Sequence, residues 1–140
     1  MSTPKSSLLV KDVMMPLDRV PVIGEKVIFK EALEEMQRMH LGISCIVSSE
    51  KKLLGVITDG DIRRMLLRVQ KPFSAFFVDD AIQHAVLSPL TIAPSDTLAN
   101  ATRLMGDKRI WDLPVVDDSG NLLGLLHLHP ALEALLGTSD

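Results

Sequence analysis

The 140-residue sequence predicts an α/β fold assembled from two copies of one unit. Two coincidences carry this expectation. Leu53-Leu54-Gly55-Val56-Ile57-Thr58 returns as Leu122-Leu123-Gly124-Leu125-Leu126-His127, so Gly55 recurs as Gly124, 69 residues on. The same offset lays Phe29, Ala32 and Met36 over Leu98, Ala101 and Met105, and Cys45-Ile46-Val47 over Pro114-Val115-Val116. A unit present only twice cannot stack into a solenoid, so its apolar faces are expected to close on each other as a pair about a pseudo-twofold axis, with a cleft between the copies.

Within the first copy, Phe29, Ala32, Leu33 and Met36 fall at helical spacing, with Lys30, Glu34, Glu35 and Arg38 on the wet side. Ile43 to Val47 is an apolar run of strand length, and Ser48 to Lys52 a polar turn. Leu53 to Ile57 is a second strand, stopped at Thr58-Asp59-Gly60-Asp61. A further helix is expected to open at Ile62, with Asp61 as its N-cap and Met65, Leu66 and Val69 on its apolar side. The second copy repeats this order. Pro94-Ser95-Asp96 signals the start of the helix carrying Leu98, Ala101 and Met105, and Leu113 to Val116 is a strand. Asp117 to Asn121 has hairpin-turn composition, Leu122 to Leu128 is the next strand, and Pro130 suits the start of a last helix closed by Gly137. Between the copies, Gln70 to Asp80 holds Phe73, Phe76 and Phe77, too apolar for a free linker, so it is expected to dock on the core or on a partner.

Composition narrows the class. With 46% apolar residues, a chain of this length buries enough surface to fold without disulfide or metal. One cysteine, Cys45, excludes an intrachain disulfide and is expected to pack rather than react. A net charge of −3 with scattered basic residues leaves no footprint for nucleic acid. No apolar run reaches membrane-span length and no leader is evident at Met1 to Lys5, so a soluble cytoplasmic protein is expected.

Several stretches resemble CBS domains, the βαββα modules named after cystathionine β-synthase. In the first copy these are Asp12-Val13-Met14-Met15-Pro16 and Gly55-Val56-Ile57-Thr58-Asp59-Gly60-Asp61-Ile62-Arg63-Arg64. In the second they are Ala85-Val86-Leu87-Ser88-Pro89, Leu113-Pro114-Val115-Val116-Asp117 and Gly124-Leu125-Leu126-His127. The resemblance implies a tandem CBS pair: repeat one at 8–69, a connector at 70–80, repeat two at 81–137. Thr58 to Arg64, with Leu123 to His129, is similar to the regulatory tail of bacterial arabinose 5-phosphate isomerases, which serve synthesis of the sugar acid Kdo. Catalysis in that family belongs to a sugar-isomerase domain for which this sequence has no residues, so the chain is expected to be non-catalytic. The implied partners are that domain in cis or trans, a second CBS pair in a homodimer, and a regulatory nucleotide or sugar nucleotide: AMP, ATP or a CMP-sugar. No cofactor is required.

The same resemblance nominates the binding residues. In the family a Thr followed three residues later by Asp grips ligand, which matches Thr58 and Asp61; Asp59, Arg63 and Arg64 adjoin them, and Ser44 leads into the central strand. The chemistry is sound, because a carboxylate accepts from paired ribose hydroxyls while a hydroxyl, helix-start amides and arginines suit phosphate. In the second copy His127 and Pro130 stand where Thr58 and Asp61 stand, so that copy is expected to be empty or to take another ligand. Trp111 could stack on a base or pack at the edge of the core. His127 and His129, spaced by two along an expected strand, could contact ligand, form structural hydrogen bonds or hold a metal, although a third metal ligand is not evident. Two rival readings stay open: a structural oligomerisation module without ligand, and the regulatory pair of a sugar nucleotidyltransferase.

Overall fold

A computed structural model describes residues 8–137, and these divide into two compact units. The first unit is the contiguous stretch 18–89; the second joins 8–17 to 90–137. Each is built as mixed α/β.

In chain order the elements begin with α1 (Val10–Val13), β1 (Met15–Pro16) and β2 (Val22–Gly24). The first copy continues with α2 (Phe29–Met39), β3 (Ile43–Val47), β4 (Leu53–Thr58) and α3 (Asp59–Arg68). Next come α4 (Phe73–Phe76) and β5 (Val86–Leu87), and then the second copy: α5 (Leu98–Lys108), β6 (Asp112–Val116), β7 (Leu122–His127) and α6 (Leu128–Leu136). The first unit's sheet runs β2-β3-β4-β5, with β2 parallel to β3 and the other pairs antiparallel. The second unit's sheet runs β1-β7-β6, all antiparallel, and Ile92 adds a parallel bridge to Val115 where the first unit has Ile23 beside Ile46.

The repetition reaches backbone detail. α2 buries Phe29, Ala32 and Met36, and α5 buries Leu98, Ala101 and Met105, the positions matched by the 69-residue offset. Both helices end on a residue in the left-handed region, His40 at φ 58° and Arg109 at φ 56°. Both β hairpins carry a register shift at the same place, Ile46/Val47 and Val115/Val116.

One feature breaks the simple tandem picture. β1, which precedes the first copy, pairs with β7 of the second, whereas β5, which precedes the second copy, pairs with β4 of the first. Each exchanged strand crosses a glycine. A Cβ on Gly124 would lie 2.6 Å from the Met15 carbonyl oxygen, and one on Gly55 would lie 2.9 Å from that of Val86. Side chains are excluded because the strand backbones need the space.

The segments leading into the exchanged strands also cap helices. The N-cap of α2 is Ile28, whose side chain cannot cap, and the connector supplies the acceptors instead: the Phe29 and Lys30 amides donate to the Asp79 and Phe77 carbonyls at 2.8 and 3.1 Å. In the second unit the Leu98 amide donates to the Leu8 carbonyl at 2.9 Å. There Thr97, rather than the Asp96 neighbourhood expected from sequence, is the N-cap, its hydroxyl accepting from the Asn100 amide at 3.1 Å.

The connector docks on its own unit. Phe76 is 1% exposed in a core with Phe29, Ile46, Ile57 and Met65, Phe77 packs against it half-buried, and Phe73 stays 68% exposed. His84 meets Phe29 and Phe76 edge-on at 5.2 and 5.6 Å and bonds Asp79 at 2.8 Å, while Lys71 bonds the same carboxylate at 2.8 Å and lies over the Phe76 ring. Those bonds, from Lys71 first and then His84, hold the Asp79 carboxyl below the usual carboxylate range.

One helix expectation needs correction. α3 starts at Asp59, not Ile62, because Thr58 closes a capping box three residues earlier than read. Met65, on the apolar side of the helix as expected, is 2% exposed in the core, whereas Leu67 points outward at 81%. No helix among the described residues is long and apolar enough to cross a membrane.

Candidate functional site

The nominated residues fall in two places, one in each unit. In the first, β4 runs straight into α3 and the junction is locked by Thr58 and Asp61. The Thr58 hydroxyl accepts from the Asp61 amide at 3.2 Å and donates to Asp61 Oδ2 at 2.8 Å; the Thr58 amide donates to the same oxygen at 3.1 Å. Asp61 is therefore the third helical residue of a capping box and not the N-cap itself. Its other oxygen, Oδ1, accepts from Arg64 at 2.7 Å, and the Arg64 side chain is 60% exposed.

This splits the carboxylate into a spent half and an accessible half. Oδ2 is saturated by two donors from Thr58 and fixes the start of α3. Oδ1 faces only an exposed arginine, a pair worth about 0–1 kcal/mol, so a ligand hydroxyl can displace it at small cost. Freed, Arg64 would remain within reach of an anionic group on the same ligand.

The neighbouring nominees separate. Asp59 is exposed, its amide donates to the Gly42 carbonyl at 3.1 Å, and its carboxylate forms no hydrogen bond with Thr58 or Asp61. Arg63 is exposed on α3. Ser44 is fully buried, and its hydroxyl donates to the Ala32 carbonyl at 3.0 Å, tying β3 to α2.

In the second unit, β7 runs into α6 in the same way, with the Leu128 amide donating to the Trp111 carbonyl at 2.8 Å as Asp59 does to Gly42. The chemistry differs. His127 stands at the N-cap position without a capping bond, and its Nδ1 pairs instead with Asp112 Oδ1 at 2.7 Å, across the strand pair where Ile43 faces Thr58 in the first unit. Asp112 was missed in the sequence; the 69-residue offset applied to strand pairing would have found it. His129 is on α6, not on a strand beside His127, because the helix opens at Leu128. It is 77% exposed, 3.8 Å from Glu133. Trp111 is 69% exposed and so does not pack at the edge of a core. Among the described residues no three His, Cys, Asp or Glu side chains gather as a metal site would need.

Known proteins decide the family. The CBS domain family matches residues 10–68 and again 79–137. The chain belongs to the CBS domain family. An uncharacterised Helicobacter pylori protein is 35% identical over 126 residues, covering 89% of this chain and 36% of its own length. The arabinose 5-phosphate isomerase KdsD of Salmonella typhi is 30% identical over 135 residues, covering 93% of this chain and 38% of its own. The CBS pair thus spans well under half the length of these relatives. Among solved structures, CBSX2 of Arabidopsis thaliana in complex with AMP superposes with a TM-score of 0.80 at 27% identity, over 92% of this chain and 96% of its own. A CBS domain-containing protein of Bacillus anthracis shares the fold at a TM-score of 0.82 and 18% identity.

Proposed function

We propose that this CBS pair is a non-catalytic regulatory module that binds an adenosine nucleotide through its first unit. The observation that carries the reading is Asp61: one oxygen is pinned by Thr58, and the other is guarded only by exposed Arg64. Ribose hydroxyls would take Oδ1, and Arg64, with Arg63 beside it, would turn to the phosphate. The likeness to CBSX2, solved with AMP, favours an adenine nucleotide over the CMP-sugar also considered, which has no counterpart among these neighbours. In the second unit His127 is engaged with Asp112 and offers no carboxylate to ribose, so we expect one dominant site per chain.

The arabinose 5-phosphate isomerase relatives favour a sugar isomerase as the regulated enzyme. In this reading the repeats at 8–69 and 81–137 would act on it, in cis or in trans, from the cytoplasm as a homodimer. Exposed leucines on the helix that closes each sequence copy, Leu67 on α3 and Leu132 and Leu136 on α6, are the faces such a dimer would cover. A ligand shifts the enzyme only as far as it prefers one arrangement of the module over another. The purified chain should not interconvert ribulose 5-phosphate and arabinose 5-phosphate.

A purely structural role is the second reading, favoured by the same capping box, in which Thr58 and Asp61 are already used by the fold. Titration calorimetry with AMP separates the two. Asp61→Asn removes the charged acceptor and should weaken binding about ten- to hundredfold. Affinity indifferent to Asp61→Asn, or no binding of AMP at all, would overturn the nucleotide reading.

A further inference from the structure

Residues 8–17 complete a unit from which the chain then departs. They pack with 90–137, whereas the residues that follow them directly, 18–89, form the other unit. Without them the second unit is unfinished. Val10 is fully buried in a core with Leu98, Ala101, Met105 and Leu126. The Val10 and Lys11 amides donate to the Asp96 and Pro94 carbonyls at 2.9 and 3.0 Å, the Leu98 amide donates back to the Leu8 carbonyl, and Met15 and Pro16 face Leu125 and Gly124.

The joint behind this segment is lightly held. Pro16, Leu17, Asp18 and Arg19 are all exposed, and among the described residues the side chains of Asp18 and Arg19 make no hydrogen bond or ion pair. One turn of 3-10 helix, Leu17–Arg19, spans it. Pro16 and Pro21 bracket that turn and favour extended backbone in the residues before them, so opening the joint changes few dihedrals. The first unit differs, because its exchanged strand β5 comes from inside its own contiguous stretch.

From this arrangement we propose that Leu8 to Pro16 is an exchangeable strap, which completes the second unit of its own chain or that of a second copy. Two copies that trade straps form a dimer. Every strap contact is the same in both forms, so they differ only in the joint and in their dependence on chain concentration. This interface is distinct from the exposed leucines of α3 and α6 and does not rest on nucleotide binding.

Leu9 and Thr97 form an antiparallel bridge pair flanked by the Val10 and Leu98 hydrogen bonds, a pairing close enough for a disulfide. Leu9→Cys combined with Thr97→Cys therefore reports whose strap is docked: a closed chain bonds within itself, and a traded pair bonds between chains. The reduced double variant is refolded from urea at micromolar and at millimolar concentration, oxidised, denatured in alkylating agent to block the buried Cys45, and run on a non-reducing gel. The covalent dimer should rise about tenfold or more between the two, as a second chain comes to match the effective concentration of a tethered segment. Deleting Asp18 and Arg19 should raise it at micromolar chain, since the shortened joint no longer closes. In the unsubstituted chain, isotope-filtered NOEs between Leu9 of a labelled copy and Thr97 of an unlabelled one, refolded together at millimolar concentration, read the same contact should the cysteines impair folding. Covalent monomer alone at both concentrations would overturn the inference, and so would the absence of those interchain NOEs. A dimer held only by the exposed leucines gives that negative result, with its disulfides inside each chain.

Discussion

Replacing Phe76 by alanine should cost the first unit far more than replacing Phe73, although the two aromatics share one turn of α4. Phe76 is 1% exposed, in a core with Phe29 and Met65, whereas Phe73 is 68% exposed. Burial of a phenylalanine side chain contributes about 1.5–3 kcal/mol by transfer alone. The cavity left behind, which the packed core cannot fully close, raises the loss to about 3–5 kcal/mol. The edge contact with His84 at 5.6 Å and the Lys71 ammonium at 4.8 Å from the ring are lost in the same change. Against a typical total of about 5–15 kcal/mol this is a large fraction, so Phe76→Leu, costing about 1.5 kcal/mol, is the companion variant if alanine abolishes folding. Phe73→Ala should stay within about 0.5 kcal/mol. Urea unfolding followed by far-UV circular dichroism measures all three. If Phe76→Ala is as mild as Phe73→Ala, the connector is not docked as described and the capping of α2 by its carbonyls fails with it.

Three further outcomes are expected. Gly124→Ala and Gly55→Ala should each destabilise by about 1–3 kcal/mol, because the added methyl meets strand backbone rather than a movable side chain; thermal melts would show it, and neutral melts would refute the close approach. Asp79, held below the usual carboxylate range by Lys71 and His84, stabilises the fold above its unfolded pKa of about 3.9 and loses that contribution as pH falls through its lower folded value. Asp79→Asn should therefore lower the urea midpoint at neutral pH, and the gap to the wild-type chain should close in the acid range; a constant gap would count against the Lys71 and His84 contacts. Arg64→Ala should shrink the preference for AMP over adenosine about tenfold in calorimetry, since only AMP offers a phosphate to the released guanidinium; an unchanged preference would place the phosphate elsewhere.

Long periodic stretches were legible in the sequence. The buried triads of α2 and α5 and the β3-β4 and β6-β7 hairpins follow from apolar spacing and turn chemistry. What the sequence pattern does not reveal is short or nonlocal. β1 and β5 have two residues each, too few for any period, and their partners lie in the other copy. His127 and His129 fit the alternation of a strand, but the helix start at Leu128 breaks it and puts His129 on α6. At the site, residue types suggested Thr58, Asp61 and His127, yet which oxygen of Asp61 is free, and that His127 belongs to Asp112, depend on distances between strands and turns.

The exchanged strands also dictate an order of assembly. Residues 18–89 form a unit contiguous in the chain, so everything it requires has been synthesised before α5 and α6 are made. The second unit must wait at both ends: Leu8 to Pro16 emerges first, yet the Thr97, Leu98 and Leu125 groups that receive it are synthesised last. Closing so long a loop slows this step relative to folding of the first unit. Cutting the gene between its two sequence copies would therefore not yield two half-proteins, because each product would carry a strand that belongs to the other.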